Sequence, residues 1–431
     1  MSDPLNNSYY AATASRWAPP RIEPNAEYDV VVIGGGFTGL SAALALAEKG
    51  FNVAVLEAQT AGFGASGRNG GQLIPGLRWS MQEIDAEFGR SRAQAIFDLA
   101  WSAVARVGSR IAEHGINCDL KSGHLEAAFK PAHFADMQRE AEFLAREFGW
   151  NSIDVVPVKD MGRHVSGGAY HGGVYDHKGG HFHPLNYALG LARAAVDAGV
   201  TILENSRAEK VTDNPNGKVT VTFRDTARDG VSEYAIKAAF VVNATDAWAG
   251  DLDPALGRYT VPIMNYNIAT QVLDNADTLL PSDAAVADSR FVLNYYRLSA
   301  DKRLIFGGGE KYVQRPPAEI AAFVRKHMAQ VFPSLSNVKI DYSWGGTIAA
   351  TMNRLPHLGR NGNVFYAHGF SGHGALVTTL AGEIIAEAVA GTASRFDVFA
   401  DLPHMPFPGG KLLARPLATL GLMWFALRDR L

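Results

Sequence analysis

A chain of 431 residues exceeds what a single hydrophobic core ordinarily organises, so two domains are expected. With 47% hydrophobic and 19% charged residues it has the composition of an ordinary globular protein, which excludes a disordered chain. A net charge of −3 gives no electrostatic reason to expect nucleic acid, and the single cysteine, Cys118, excludes an intrachain disulfide or a multi-thiolate metal site. The polar stretch up to Pro24 lacks the basic and apolar regions of a secretory signal. A reducing, cytoplasmic location is expected.

The first elements are the most legible. From Tyr28 to Glu57 the chain reads YDVVVIGGGFTGLSAALALAEKGFNVAVLE. The apolar run 30–33 predicts a strand, the helix-period stretch 38–49 a helix stopped at Gly50, and 53–56 a second strand. In that setting Gly34 serves the tight turn, Gly36 lets a pyrophosphate reach the backbone, and Gly39 lets helix and strand approach closely. The helix start at Phe37 and Thr38 supplies N–H groups and a positive dipole end. Glu57 follows the first glycine by about the 20 residues expected of an acid that binds a ribose 2′-OH. This unit alone suits NAD as well as FAD.

The loop at 61–75, AGFGASGRNGGQLIP, is too glycine-rich for a regular element and reads as functional. Its Arg68 can neutralise a phosphate and its Asn69 can bond a ligand edge. Residues 81–159 turn helical, with helical spacing clearest at 86–114 and 132–148. Pro184 opens an amphipathic helix that ends near Gly199. Strands are expected at 201–204, 209–212, 218–223 and 234–243, with Asn214-Pro215-Asn216-Gly217 as a turn, a β-meander feeding the first sheet.

Strand-like stretches at 261–273, 291–298 and 303–307, with a helix near 318–331, read as a second domain on its own sheet. A buried strand at 364–367 then runs into Gly369-Phe370-Ser371-Gly372-His373-Gly374 and a helix at 375–389 closed by Gly391, which returns the chain to the first domain. The apolar stretch 416–427 is shorter than the roughly 20 residues that span a bilayer. Followed by Arg428 and Arg430, it reads as a helix capping the fold, with a peripheral membrane contact as the alternative.

Two glycine-rich loops at opposite ends of the chain, 62–72 and 369–374, suggest a ligand longer than one βαβ unit can hold, and FAD fits that description. The late helix would aim its N-terminus at the flavin's pyrimidine edge, where negative charge collects on reduction. His373 precedes that helix and can face flavin or substrate, or be satisfied by backbone as a turn residue. His181 and His183, near Asp176 and His177, invite a metal reading. That reading is set aside, because no third ligand stands at a recognisable spacing and Pro184 makes this the start of a helix. No G-x-S-x-G supports a hydrolase. Tyr295-Tyr296 reads as packing, with Tyr296-Arg297 kept as a pair to test.

Several segments together resemble one family: Asn7-Ser8-Tyr9-Tyr10-Ala11-Ala12, GFGASGRNGGQ at 62–72, GGHFHPLN at 179–186, Tyr295-Tyr296-Arg297-Leu298, and Phe407-Pro408-Gly409-Gly410 through Leu427-Arg428-Asp429-Arg430-Leu431. Over essentially its whole length the chain is similar to the γ-glutamylputrescine oxidases of the glycine/D-amino-acid oxidase superfamily. The resemblance implies an α/β fold, with a glutathione-reductase-like Rossmann FAD-binding domain carrying a β-meander (1–80, 165–255 and 340–431). A second, α+β substrate domain with a large, mostly antiparallel sheet (81–164 and 256–339) would complete it. It implies oxidation of the CH–NH unit of a γ-glutamylated amine in polyamine catabolism, giving an imine that hydrolyses to an aldehyde while dioxygen becomes hydrogen peroxide. Sarcosine-oxidase relatives hold flavin through a cysteine near the position of Trp344-Gly345-Gly346-Thr347; this chain has none there, so non-covalent FAD is expected. No lysine here matches the one those relatives place beside the flavin to assist oxygen, since the comparable strand reads Arg303-Leu304-Ile305-Phe306.

The cofactor contacts expected are Gly34, Gly36, Phe37, Thr38, Gly39, Glu57, Ala58, Gly64, Ala65, Ser66, Arg68, Asn69, Gly70, Gly71, Gln72, Val211, Thr245, Trp248, Gly345, Gly346, Gly369, Ser371, Gly372, His373 and Gly374. Substrate contacts are expected from Tyr296, Arg297, Trp344 and His373, with Arg297 pairing to the glutamyl carboxylate. Two other readings stay open. One is a D-amino-acid or sarcosine-type oxidase, or a dehydrogenase passing electrons to a membrane quinone; the other is a flavin-bearing binding protein without turnover.

Overall fold

The computed structural model describes residues 7–15, 17–214, 217–226, 232–311 and 319–409. Its first sheet grows from the unit at the head of the chain. Val30, Val31, Val32 and Ile33 are all buried because the strand Glu27–Ile33 is covered on both faces, the continuous apolar pattern of a parallel sheet. It pairs in parallel with Val53–Leu56 on one side and Ser232–Asn243 on the other. Thr201–Leu203 and Val364–His368 extend the parallel part outward, and His357–Asn361 adds an antiparallel edge. Ser206–Asp213 and Val219–Asp225 form the meander leading into Ser232–Asn243.

Close helix packing holds this sheet's cover together. A Cβ on Gly39 would lie 1.9 Å from the Gly34 carbonyl oxygen, and one on Gly382 2.4 Å from that of Thr38, so helices Phe37–Glu48 and Gly374–Val389 meet almost backbone to backbone. Arg110, on the helix Arg90–Glu113 and only 2% exposed, donates to Glu383 at 2.8 Å and to Glu48 at 2.7 Å. One buried guanidinium thereby joins three helices, and the late helix has little freedom to move relative to the first.

The second sheet runs in the order Ile340–Thr351, Thr260–Thr270, Leu304–Lys311, Tyr295–Leu298, Ala285–Asp288, Lys121–Ala127, Gly173–His181, Gln72–Leu73, with Ile153–Val156 against Gly173–His181. Its pairs are antiparallel except that of Ala285–Asp288 with Lys121–Ala127. Tyr266, Tyr296, Phe306, Val324, Met328 and Phe332 form the core between it and the helix Ile320–Val331.

Sheet membership divides the chain at different places from the boundaries expected. Gly173–His181 and Ile340–Thr351 belong to the second sheet although both lie in stretches assigned to the FAD domain. Met81–Phe88 and Arg90–Glu113 bury Met81, Ile84, Ile96 and Val107 in the cluster shared with Phe37–Glu48. Composition marks a boundary where pattern changes, but pairing is a long-range choice, and GVYDHKGGH carries too few apolar residues to announce its sheet. The stretch at 121–127, expected within a helical insertion, is a strand for the same reason. Pro215 and Asn216 of the expected turn and the apolar stretch 416–427 lie outside the described residues. No helix among the described residues is long and apolar enough to cross a membrane.

Candidate cofactor and active site

A cavity of about 990 Å³ extends from the C-terminal edge of the first sheet's parallel strands to the face of the second sheet. At the first sheet its wall is mostly backbone. Gly34 turns with a φ of +108°, and a Cβ there would lie 2.7 Å from the Ala244 carbonyl oxygen. A Cβ on Gly36 would lie 2.9 Å from Ser66 Oγ, which accepts the Phe37 N–H at 2.8 Å and so ties the glycine loop to the first helix's start. Thr38, Ala58, Gly64, Ala65 and Thr245 line the same end, with Trp248 beside them. Glu57 accepts from the N–H groups of Gly35 at 2.7 Å and Gln59 at 2.8 Å. Burial pushes its carboxyl above the usual range against the pull of these donors, and the two bonds fix the group on the cavity wall.

Inside the glycine loop, side chains expected to touch ligand brace the loop itself. Asn69 donates to the carbonyls of Ala65 and Ser66 and accepts from the Gly71 N–H at 2.8 Å, so its amide is committed to the turn. Arg68 lines the cavity, but its guanidinium lies 4.3 Å from the Phe63 ring centroid and donates to the carbonyls of Phe63 and Gly345. Gly70, Gln72 and Gly346 also line the wall.

The late helix brings Ser371, Gly372, His373 and Gly374 to the opposite side of this end. Ser371 holds a φ of +54°. Asp246, which sequence reasoning passed over, organises the approach: it accepts the N–H groups of Gly369 at 2.9 Å and Ala349 at 3.2 Å, and burial pushes its carboxyl up to about 6. His373 is held neutral, chiefly by burial, with Arg78 and His124 adding to a fall to about 3. Its buried Nε2 has no hydrogen-bond partner among the described residues.

At the second sheet the wall is made of side chains. His124 and Glu126 stand two residues apart on one face of Lys121–Ala127, and burial lowers the His124 imidazole to about 4. His124 Nε2 lies 3.3 Å from Gln72 Oε1, and Gln72 donates to the Val286 carbonyl at 2.8 Å. Tyr295 faces the cavity and donates its hydroxyl to Asn265.

Three expected substrate contacts lie elsewhere. Tyr296 is 1% exposed in the core beneath the sheet, bonded to the Tyr170 hydroxyl at 2.9 Å and stacked on Phe306. Side chains alternate along a strand, so placing Tyr295 in the cavity sends Tyr296 to the opposite face. Arg297, 3% exposed, spends its donors on the carbonyls of Gly70 and Leu298 and on the Tyr10 hydroxyl, and does not line the cavity. Trp344 is fully buried and donates to the Arg68 carbonyl at 3.0 Å.

Among the expected cofactor contacts, Gly39, Gly71, Gly345 and Gly369 act behind the wall through close packing or main-chain bonds, and do not line it. Val211 packs within the meander's cluster, while Arg207 and Ala208 of the same strand reach the cavity. His183 accepts the Asn186 N–H at 3.1 Å as the N-cap of Pro184–Asp197, and His181 bonds the Asp283 carbonyl. Among the described residues no group of three or more His, Cys, Asp or Glu side chains is arranged to hold a metal ion.

The residues present fit a flavin dinucleotide: glycines where a Cβ would collide, an acid at the end of the second strand, and two helix N-termini on one long cavity. Residues 29–388 match the DAO family, described as FAD dependent oxidoreductase, and the chain belongs to that family, with FAD as its cofactor. It is 39% identical over 430 residues to γ-glutamylputrescine oxidoreductase of Escherichia coli K12, covering 99% of this chain and 98% of that one. A probable oxidoreductase OrdL of Haemophilus influenzae is 37% identical over 93% of this chain and 92% of its own. The crystal structure of glycine oxidase from Geobacillus kaustophilus superposes with a TM-score of 0.70 at 23% identity, over 85% of this chain and 95% of that one, a likeness of fold.

Proposed function

We propose that the protein is a cytoplasmic amine oxidase of polyamine catabolism that acts on γ-glutamylated amines such as γ-glutamylputrescine, with non-covalent FAD and dioxygen as electron acceptor. The observation that supports this best is the continuity of the cavity, in which glycine turns and helix starts open directly into a chamber lined by His124, Glu126, Arg78 and Tyr295. The likeness to γ-glutamylputrescine oxidoreductase supports the substrate class.

Bound FAD supplies a two-electron acceptor. The first-sheet end would hold the dinucleotide through Gly34, Gly36, Glu57 and Ser66, and the helix start at Gly374 favours negative charge arriving beside it. His373 and His124, kept neutral by burial, offer ring nitrogens that accept a hydrogen bond in the chamber. The substrate would lose two electrons and two protons, and the imine would take up water to yield an aldehyde and ammonia. Dioxygen would become hydrogen peroxide. Non-covalent attachment is supported by Cys118, which is buried and forms no part of the cavity wall.

The test is anaerobic mixing of the holoprotein with γ-glutamylputrescine, putrescine, sarcosine and D-alanine in turn, following the flavin spectrum and then admitting air. Bleaching by the glutamylated amine, with recovery and peroxide in air, is expected. Bleaching only by another amine would sink the substrate class; bleaching without recovery in air would sink dioxygen as the acceptor.

A further inference from the structure

Most charged side chains on the cavity wall already have partners. Glu140 accepts the Met81 N–H at 2.6 Å, Asp176 accepts from Ser152 Oγ at 2.7 Å and Trp150 Nε1 at 3.0 Å, and Asp288 accepts from Asn294 Nδ2 at 3.0 Å. Arg78 and Glu126 differ: both line the cavity, and among the described residues neither makes a hydrogen bond or an ion pair. Burial raises the Glu126 carboxyl and the Arg78 charge lowers it, so the two groups feel each other, yet no N···O distance between them falls within 4.0 Å.

Both groups sit on fixed backbone. Glu126 belongs to a central strand of the second sheet. Arg78 follows Gly76, whose φ of +88° lets the chain pass so close to Trp101 that a Cβ would lie 2.5 Å from its ring. A guanidinium and a carboxylate that face one cavity without a protein partner leave two opposite charges open to a ligand, and charge-assisted contacts are among the strongest a ligand can gain. Such a ligand must carry an anion and a cation close together. The head of a γ-glutamyl group does, because its carboxylate and ammonium share one carbon atom.

We propose that Arg78 and Glu126 form a zwitterion subsite, in which Arg78 takes the α-carboxylate and Glu126 the α-ammonium of the γ-glutamyl head while the amine arm extends along the cavity. The assignment rests on the reading of the protein as a γ-glutamyl-amine oxidase and names the residues that select that substrate. Free putrescine would satisfy Glu126 and leave Arg78 without an anion, which gives a physical reason for its rejection.

γ-Glutamylbutylamide, which keeps the head and lacks the oxidisable amine, is the probe. It is titrated into the native holoprotein, Arg78→Met, Arg78→Lys and Glu126→Gln, with binding followed by calorimetry. Flavin content and thermal melting establish that each protein is folded. Arg78→Met is expected to weaken binding about 100-fold and Glu126→Gln about tenfold, the scale of a lost charge-assisted contact. Arg78→Lys, which keeps the charge without the fork, is expected to fall between native and Arg78→Met, and it answers the question alone if Arg78→Met does not fold. With γ-glutamylputrescine the loss is expected in KM, with kcat within about threefold of native. Native-like affinity in the Arg78 and Glu126 variants overturns the subsite and leaves the proposed function standing. A native protein that ignores the probe while its flavin is bleached by a different amine overturns the function itself.

Discussion

The two ends of the cavity are built from different materials. At the first sheet the wall is mostly backbone, shaped by glycines whose missing Cβ atoms leave the space and by the starts of two helices. At the second sheet it is side chains on strands: His124, Glu126, Asn265 and Tyr295. A backbone wall fails when an atom is added, and a side-chain wall fails when a functional group is removed. Substitutions at the two ends should therefore separate into loss of cofactor or fold and loss of substrate handling.

Gly39→Val tests the backbone end most severely. Its Cβ has 1.9 Å to the Gly34 carbonyl oxygen, so helix and strand must part, at a cost of about 3 kcal/mol or more in urea unfolding of the apoprotein. Gly36→Val meets only the Ser66 hydroxyl at 2.9 Å; the fold is expected to survive while FAD affinity drops about 10- to 100-fold, read from flavin absorbance after gel filtration. Stoichiometric FAD in Gly36→Val would remove the contrast between the two glycines.

Arg297→Met sharpens the boundary between the ends, because Arg297 sits behind the wall. Removing it strands the Gly70 carbonyl and the Tyr10 hydroxyl, so stability is expected to fall by about 2 to 3 kcal/mol while the KM of the folded fraction stays close to native. A large KM change with unchanged melting would instead return Arg297 to the substrate.

Acid should weaken the side-chain end and its surroundings. His124 is lowered to about 4 and His181, His183 and His373 to about 3, chiefly by burial. An unfolded chain takes up protons on these rings below about pH 6.5, whereas the folded protein does not until about pH 4 to 3. Stability from these groups is therefore complete above about pH 6.5 and is lost as pH falls. A drop in melting temperature of at least about 5 °C between pH 7 and pH 5 is expected by calorimetry. An unchanged melting temperature would mean that the histidines titrate freely.

The smallest effects come from two neighbours on one strand. Tyr295→Phe removes a hydroxyl bonded to Asn265 in the cavity and is expected to lower kcat/KM about tenfold with little change in stability. Tyr296→Phe removes the bond to Tyr170 in the core and is expected to cost about 1 kcal/mol of stability with activity near native. The reverse pattern would show the strand's faces assigned the wrong way round.

The division between backbone and side chain also governs how much could be read from the chain alone. Gly34, Gly36, Gly39 and Glu57 were legible because one βαβ unit brings them together within 30 residues, and helix, strand and turn periods are local. The second glycine loop and its helix were legible for the same reason, and with them the return of the chain to the first domain. His124 and Glu126 went unread because their short strand, KSGHLEA, lies between helices and pairs with Gly173–His181 and Ala285–Asp288, far away in the chain. Tyr295 was in view, but the choice between its face and that of Tyr296 depends on which side of the sheet carries the core.

By itself, then, the sequence determined the dinucleotide turn, the two glycine-lined helix starts and the resemblance to a flavoenzyme family, all expressed in contiguous motifs. Only the tertiary structure decided that Arg297, Trp344 and Asn69 brace the loop, and that Arg78 and Glu126 face the cavity unpaired. The physical reason is that a backbone conformation is set by residues next to one another, whereas the surroundings of a side chain are set by strands that meet only after folding.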